Sequence, residues 1–302
     1  MEISVHTKHL SKSYNGRKAI DDISIGISTG QLFGFIGPDG AGKSTLFRIL
    51  ATLLVPDRGN ATVEGFDTVR DYKKIRRIIG YMPGRFSLYQ DLSVEENLKF
   101  FASIFKASVE ENYYLIRDIF HQLEPFRKRP AGKLSGGMKQ KLALSCALIH
   151  KPSVLILDEP TTGVDAVSRI EFWDMLGRLK NEGITILVST PYMDEAVRCD
   201  RVALMLEGKV FLTDAPENIA KSFTHPLLAV KSEKMYQLLF DLQAFPGTIR
   251  AYRSGEYIHA AMKQESGIKE SVITYLNDKD HMEVQAQYIP PSVEDRFIML
   301  MK

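Results

Sequence analysis

The sequence predicts an α/β protein on a largely parallel sheet, with a helical insertion and a small α+β unit at its C-terminal side. Three observations carry that expectation. Apolar strand-like runs alternate with helix-like ones through the first two thirds, the middle loses its strands, and after Asp214 the elements fall in a new order. The expected units are therefore 1–214, with the insertion at about 93–150, and 215–302.

Taken in order, MEISVHTKHL alternates as a half-buried strand does. Gln31–Ile36, Val154–Leu157, Ile184–Ser189 and Val202–Leu206 are apolar without alternation, the pattern of strands covered on both faces. Helix-like runs at Lys43–Leu54, Met138–His150 and Ser168–Asn181 separate them. Within the insertion, SVEENLKFFASIF and NYYLIRDIFHQL place apolar residues at helical spacing. Beyond Asp214 the runs read strand, helix, strand, strand, helix, strand, with Ser254-Gly255 as a hairpin turn. That is the order of a ferredoxin-like sandwich, which carries little functional information.

Bulk composition excludes several classes. With 302 residues and 44 % hydrophobic content the chain can bury a sizeable core, which argues against disorder. The net charge of +2 gives no electrostatic case for a nucleic-acid partner, and KKIRR at Lys73–Arg77 reads as a solvated helix face. Two cysteines, Cys146 and Cys199, can build neither a disulfide framework nor a zinc site, and both fall in helix-like stretches, pointing to a reducing compartment. No apolar run approaches the roughly 18 residues of a spanning helix, so any work at a membrane requires a partner.

Three stretches carry chemistry. GPDGAGKST follows a strand and opens a helix, as a G-x-x-x-x-G-K-S/T phosphate loop must. Its Gly37, Pro38, Asp39, Gly40, Ala41, Gly42, Lys43, Ser44 and Thr45 are expected to cradle phosphate, with backbone N–H groups and the Lys43 ammonium on phosphate oxygens and the Ser44 hydroxyl on Mg²⁺. VLILDEP ends a strand in two acids: Asp158 is expected in the Mg²⁺ shell, and Glu159 as the catalytic base that takes a proton from water. LSGGMKQ places Ser135 at a helix start, with Gly136 and Gly137 exposing N–H groups as a second anion site. One chain with two phosphate-reading helix starts needs two ligands or a partner.

Together with GVD at Gly163–Asp165, these motifs resemble the ATPase subunit of an ATP-binding-cassette transporter, a P-loop NTPase, over about residues 1–214. The resemblance implies antiparallel N-terminal strands and ATP with Mg²⁺ held between the phosphate loop of one cassette and the signature Ser135, Gly136 and Gly137 of another. It also implies adenine stacked on Tyr14. The partners so implied are a second cassette, as a different chain or a second copy, and integral membrane subunits that hold the protein at the cytoplasmic face. The tail PPSVEDRFIML resembles that of daunorubicin-type drug exporters, which favours export of a small molecule.

Two positions depart from the family pattern. Where the family has a glutamine near Mg²⁺ and water, this chain has Gly84, with Gln90 six positions further on. Where the family has a histidine reading the γ-phosphate, it has Pro191, followed by what reads as an acidic helix. These losses predict MgATP binding with slow cleavage, while the intact signature completes a partner's site. Alternatives are a nucleotide-binding regulator that never hydrolyses, which Glu159 opposes, and a soluble cassette acting on ribosomes or DNA, whose usual second cassette, long heptad insertion or metal-binding cysteines are not visible.

Overall fold

The computed structural model describes residues 2–263 and 266–301; Met1 and Lys302, the outer limits of the two expected units, lie outside them. Two compact units divide at Pro216 and Glu217.

The first unit stacks two sheets. An antiparallel sheet runs β2-β1-β4-β5, from β1 (Ile3–Tyr14), β2 (Arg17–Ser28), β4 (Arg58–Val63) and β5 (Phe66–Asp67). A six-stranded sheet runs β10-β9-β3-β8-β7-β6. Its members are β3 (Leu32–Ile36), β6 (Ile79–Met82), β7 (Val154–Asp158), β8 (Thr185–Thr190), β9 (Arg201–Leu206) and β10 (Lys209–Asp214). All pairings in it are parallel except β9 with β10. Every residue of β3, β7 and β8 is buried, which is why those runs carry no alternation. Phe33, Phe35 and Phe47 fill the space between the sheets with Ile23, Ile27 and Leu50.

α1 (Lys43–Leu50) follows β3, α2 (Tyr72–Ile78) precedes β6, and α6 (Ala166–Asn181) joins β7 to β8. α1 stops short of Leu54 because Thr52 adopts the left-handed backbone, φ 61°. On α2, Ile75 is buried and Arg76 donates to Thr52 Oγ1, so the KKIRR face is only partly solvated. The stretch after Pro191 is a 3₁₀ turn, Met193–Arg198, rather than a regular helix, and Cys199 lies at its end instead of inside a helix. Both thiols are buried, which pushes them up.

The insertion is α3 (Val94–Phe105), α4 (Val109–Phe120) and α5 (Gly136–Leu148). Ser93 and Glu96 close a reciprocal capping box on α3, and Ser135 caps α5 by accepting the Met138 N–H at 3.3 Å. α5 begins two residues earlier than its apolar periodicity indicates, because the two glycines form its first turn.

In the second unit, α7 (Pro216–Lys221) leads to β11 (Leu227–Lys231), α8 (Met235–Ala244), β12 (Thr248–Ser254), β13 (Tyr257–Met262), α9 (Ile268–Asn277) and β14 (Gln285–Tyr288). The strands lie antiparallel in the order β12-β13-β11-β14. Leu228, Val230, Ile258 and Met262 pack with Leu238 and Val272 of the helices. The closing tail forms α10 (Val293–Leu300). Its Asp295 accepts from Tyr252 Oη at 2.6 Å and contacts His259 Nδ1 at 2.7 Å. Burial alone would raise that carboxyl, but the hydrogen bonds from His259, Ser292 and Tyr252 outweigh it and hold it at about 2. The PPSVEDRF tail therefore fastens to β12 and β13.

Candidate functional site

The site lies at the C-terminal ends of β3, β7 and β8, where parallel sheets collect ligands. The loop after β3 bends into α1 through Gly42, whose φ of +100° is closed to L side chains. A Cβ there would also stand 2.3 Å from the Ala19 carbonyl. The bend carries Lys43 inward until it is 3 % exposed. Its Nζ donates to the carbonyls of Gly37 at 2.7 Å and Pro38 at 3.0 Å, and sits 3.3 Å from Glu159 Oε1. An open cleft of about 250 Å³ is lined by Tyr14, Ala19, Gly40, Ala41, Gly42, Lys43, Ser44, Thr45 and Glu159.

Asp158 lies behind Ser44. Ser44 Oγ donates to its Oδ1 at 3.0 Å and Ser189 Oγ at 2.7 Å. That charge, added to burial, pushes the Tyr81 hydroxyl up. Glu159, next along, turns out of the strand with φ 50°, a backbone that costs about 1–3 kcal/mol in a non-glycine residue. Its N–H is held by Ser189 Oγ at 2.9 Å and Ser189 O at 3.2 Å, which keeps the strained turn in place. Ser189 is the residue that reading the sequence did not find. It is fully buried opposite Asp158 in the β7–β8 register, and Ser189→Ala strips a donor from a buried carboxylate. Chemical denaturation should register a loss of about 1–3 kcal/mol.

Ser135, Gly136 and Gly137 do not line this cleft. A Cβ on Gly136 would stand 3.2 Å from Gly163 O, and one on Gly137 would stand 3.0 Å from Ser168 Oγ. The glycine pair thus serves close packing of α5 on the 163–168 stretch as well as exposure of N–H groups. Gly84 does reach the acid pair: its Cβ position is 3.1 Å from Asp158 O and 3.8 Å from Glu159 Cβ. Gln90 lies elsewhere, against Gly132 of the insertion, whose N–H donates to Gln90 O at 2.9 Å. Thr190 O accepts the Gly37 N–H at 3.3 Å, which sets Pro191 beside the phosphate-loop segment.

The family model for the ABC transporter matches residues 20–162. The Nod factor export ATP-binding protein I of Sinorhizobium fredii is 33% identical over 311 residues, covering 99% of this chain and 86% of that protein. The chain belongs to the ABC transporter family. This cassette is also 39% identical over 299 residues to the probable multidrug ABC transporter ATP-binding protein YbhF of Escherichia coli, covering 97% of the chain but 51% of the relative. It thus spans about half of YbhF's length. The solved dimer of the ATP-binding cassette MJ0796 bound to ADP and Pi matches it with a TM-score of 0.63 and 27% identity, over 70% of this chain and 98% of that one. Among the described residues, no helix of the cassette is long and apolar enough to cross a membrane.

Proposed function

We propose that the chain is the ATP-binding subunit of a membrane exporter, with one ATP bound at its own phosphate loop and a second, held by another cassette, capped by its Ser135, Gly136 and Gly137. The observation that carries this reading is the separation of the two helix starts: the Lys43 cleft is lined by Glu159 and by Ser44, which bonds Asp158, and the Ser135 helix lies outside it. One chain then supplies complementary halves of two sites.

The residues present suit MgATP. Ser44 Oγ and Asp158 Oδ1 converge to 3.0 Å as a hydroxyl and carboxylate pair, the hard oxygen donors that Mg²⁺ takes alongside phosphate. When bound, the cation neutralises charge on the phosphate oxygens. Lys43 orients the outer phosphates, Tyr14, which is half exposed at the cleft rim, stacks on adenine, and Glu159 accepts the proton of an attacking water. Gly84 and Pro191 place no side-chain donor at that water or at the phosphate, so own-site cleavage is slow. That shortfall marks the degenerate member of an asymmetric pair.

Export of a small molecule is the direction we assign, by the tail motif and by the likeness to the Nod factor export ATP-binding protein I. An apolar groove of about 390 Å³ runs along the segment that flanks Gly84, lined by Met82, Phe86, Leu88, Phe101, Ile104 and Phe105. It is the face we assign to a membrane subunit. Equilibrium binding and turnover measured on the chain alone test the reading. MgATP should bind, with cleavage about 10²-fold or more slower than two intact contacts allow. Rapid turnover abolished by Lys43→Ala would overturn the slow-site assignment, and absence of MgATP binding would overturn the whole.

A further inference from the structure

Glu195 is a carboxylate that the reading above leaves unused, and it is 3 % exposed. Each of its oxygens has its own donor: Thr161 Oγ1 gives to Oε1 at 2.9 Å and Thr190 Oγ1 to Oε2 at 2.5 Å. The Arg169 guanidinium comes within 3.8 Å of Oε1 and 3.4 Å of Asp194 while lying over the Tyr192 ring. Thr190 Oγ1 accepts the Tyr192 N–H at 3.0 Å in turn. A carboxylate taken this far from water is costly unless its lone pairs are filled. Here each oxygen takes a hydroxyl from a different segment, and the Arg169 charge stands 3.8 Å away.

Thr161 lies two residues beyond Glu159, Thr190 stands directly before Pro191, and Arg169 is near the start of α6. At its far end the same 161–168 stretch meets the signature helix, where Gly163 and Ser168 crowd Gly136 and Gly137. Pro191 itself has no donor to offer the cleft. We infer that Glu195 is a positioning residue that clamps the Pro191 loop to the stretch between Glu159 and Ser168, so that the cleft and the Ser135–Gly137 helix start are set in register together. Movement at one ATP then reaches the other through Thr161 and Gly163 rather than through a side chain at position 191.

The kinetic consequence rests on the nucleotide reading above; the clamp itself does not. Hydrogen exchange on the full chain reads it directly, with Glu195→Gln, which keeps the shape and one acceptor, and Thr161→Val. Exchange across 161–168 and 135–138 should quicken roughly ten- to a hundredfold, the size expected for one hydrogen bond to a charged group, while α1 is unchanged. MgATP affinity should stay within about twofold, turnover should fall, and the two substitutions together should do no more than either alone. Quickening confined to 193–198, or effects that multiply, would overturn the clamp, as a purely local packing role predicts. If Glu195→Gln fails to fold, Thr161→Val gives the same reading. A chain that binds no MgATP defeats the nucleotide reading but leaves the exchange result to decide this one.

Discussion

Replacing Lys43 by alanine is expected to weaken MgATP binding by about thirtyfold to a thousandfold and leave the fold intact. A unit charge about 4 Å from a phosphate oxygen is worth about 4 kcal/mol at the effective dielectric of a partly buried site, and desolvation returns up to half of it. The ammonium is already held at that edge of the cleft by the Gly37 and Pro38 carbonyls and by Glu159, so little rearrangement is needed to present it. Stability should change little, because Glu159 keeps 23% of its side chain in water once its cation is gone. A loss near 1 kcal/mol would lower the melting temperature by about 2–4 °C. Isothermal titration calorimetry with the unsubstituted chain beside it measures the affinity; equal affinities would mean that nucleotide does not enter between Lys43 and Ser44.

Much of this site could be read from spacing alone, because a phosphate loop, an acid pair and a capped glycine pair are each local. The bent loop, the buried Lys43 and the Ser44–Asp158 pair lie where the motifs put them. What escaped is whatever depends on which strands lie side by side. Ser189 meets Asp158 across 31 positions of sequence, and Thr161 meets Glu195 across 34. A strand ending in two hydroxyls, Ser189 and Thr190, next to a stray acid was the visible signal, but nothing in the sequence names the neighbouring strand. The same limit explains the glycine pair, whose packing on Gly163 and Ser168 is a contact between distant segments. Local chemistry also misled after Pro191. The acidic run after Pro191 has helical composition, yet Glu195 is tied to Thr161 and Thr190, which leaves a 3₁₀ turn.

Restoring both departures from the family pattern, Gly84→Gln with Pro191→His, is expected to raise turnover of the isolated chain by about 10² to 10³. One preorganised contact at the reacting phosphate is worth about that much, and contacts within one site do not add, so the pair should gain less than the product of two such factors. Position 84 is well placed, since its Cβ direction meets Asp158 O and Glu159 Cβ. It is also tight. At 3.1 Å from the Asp158 carbonyl the backbone must yield a few tenths of an ångström, so Gly84→Ala alone should cost stability and add no turnover. Position 191 follows a strand end held by the Gly37 N–H on Thr190 O, so a histidine there starts beside the phosphate loop. Steady-state phosphate release at saturating MgATP, compared among the original chain, Gly84→Ala and the double variant, separates strain from gain. If the double variant binds MgATP and still releases phosphate no faster, Gly84 and Pro191 are not what slows cleavage, and the slow-site assignment made from them falls.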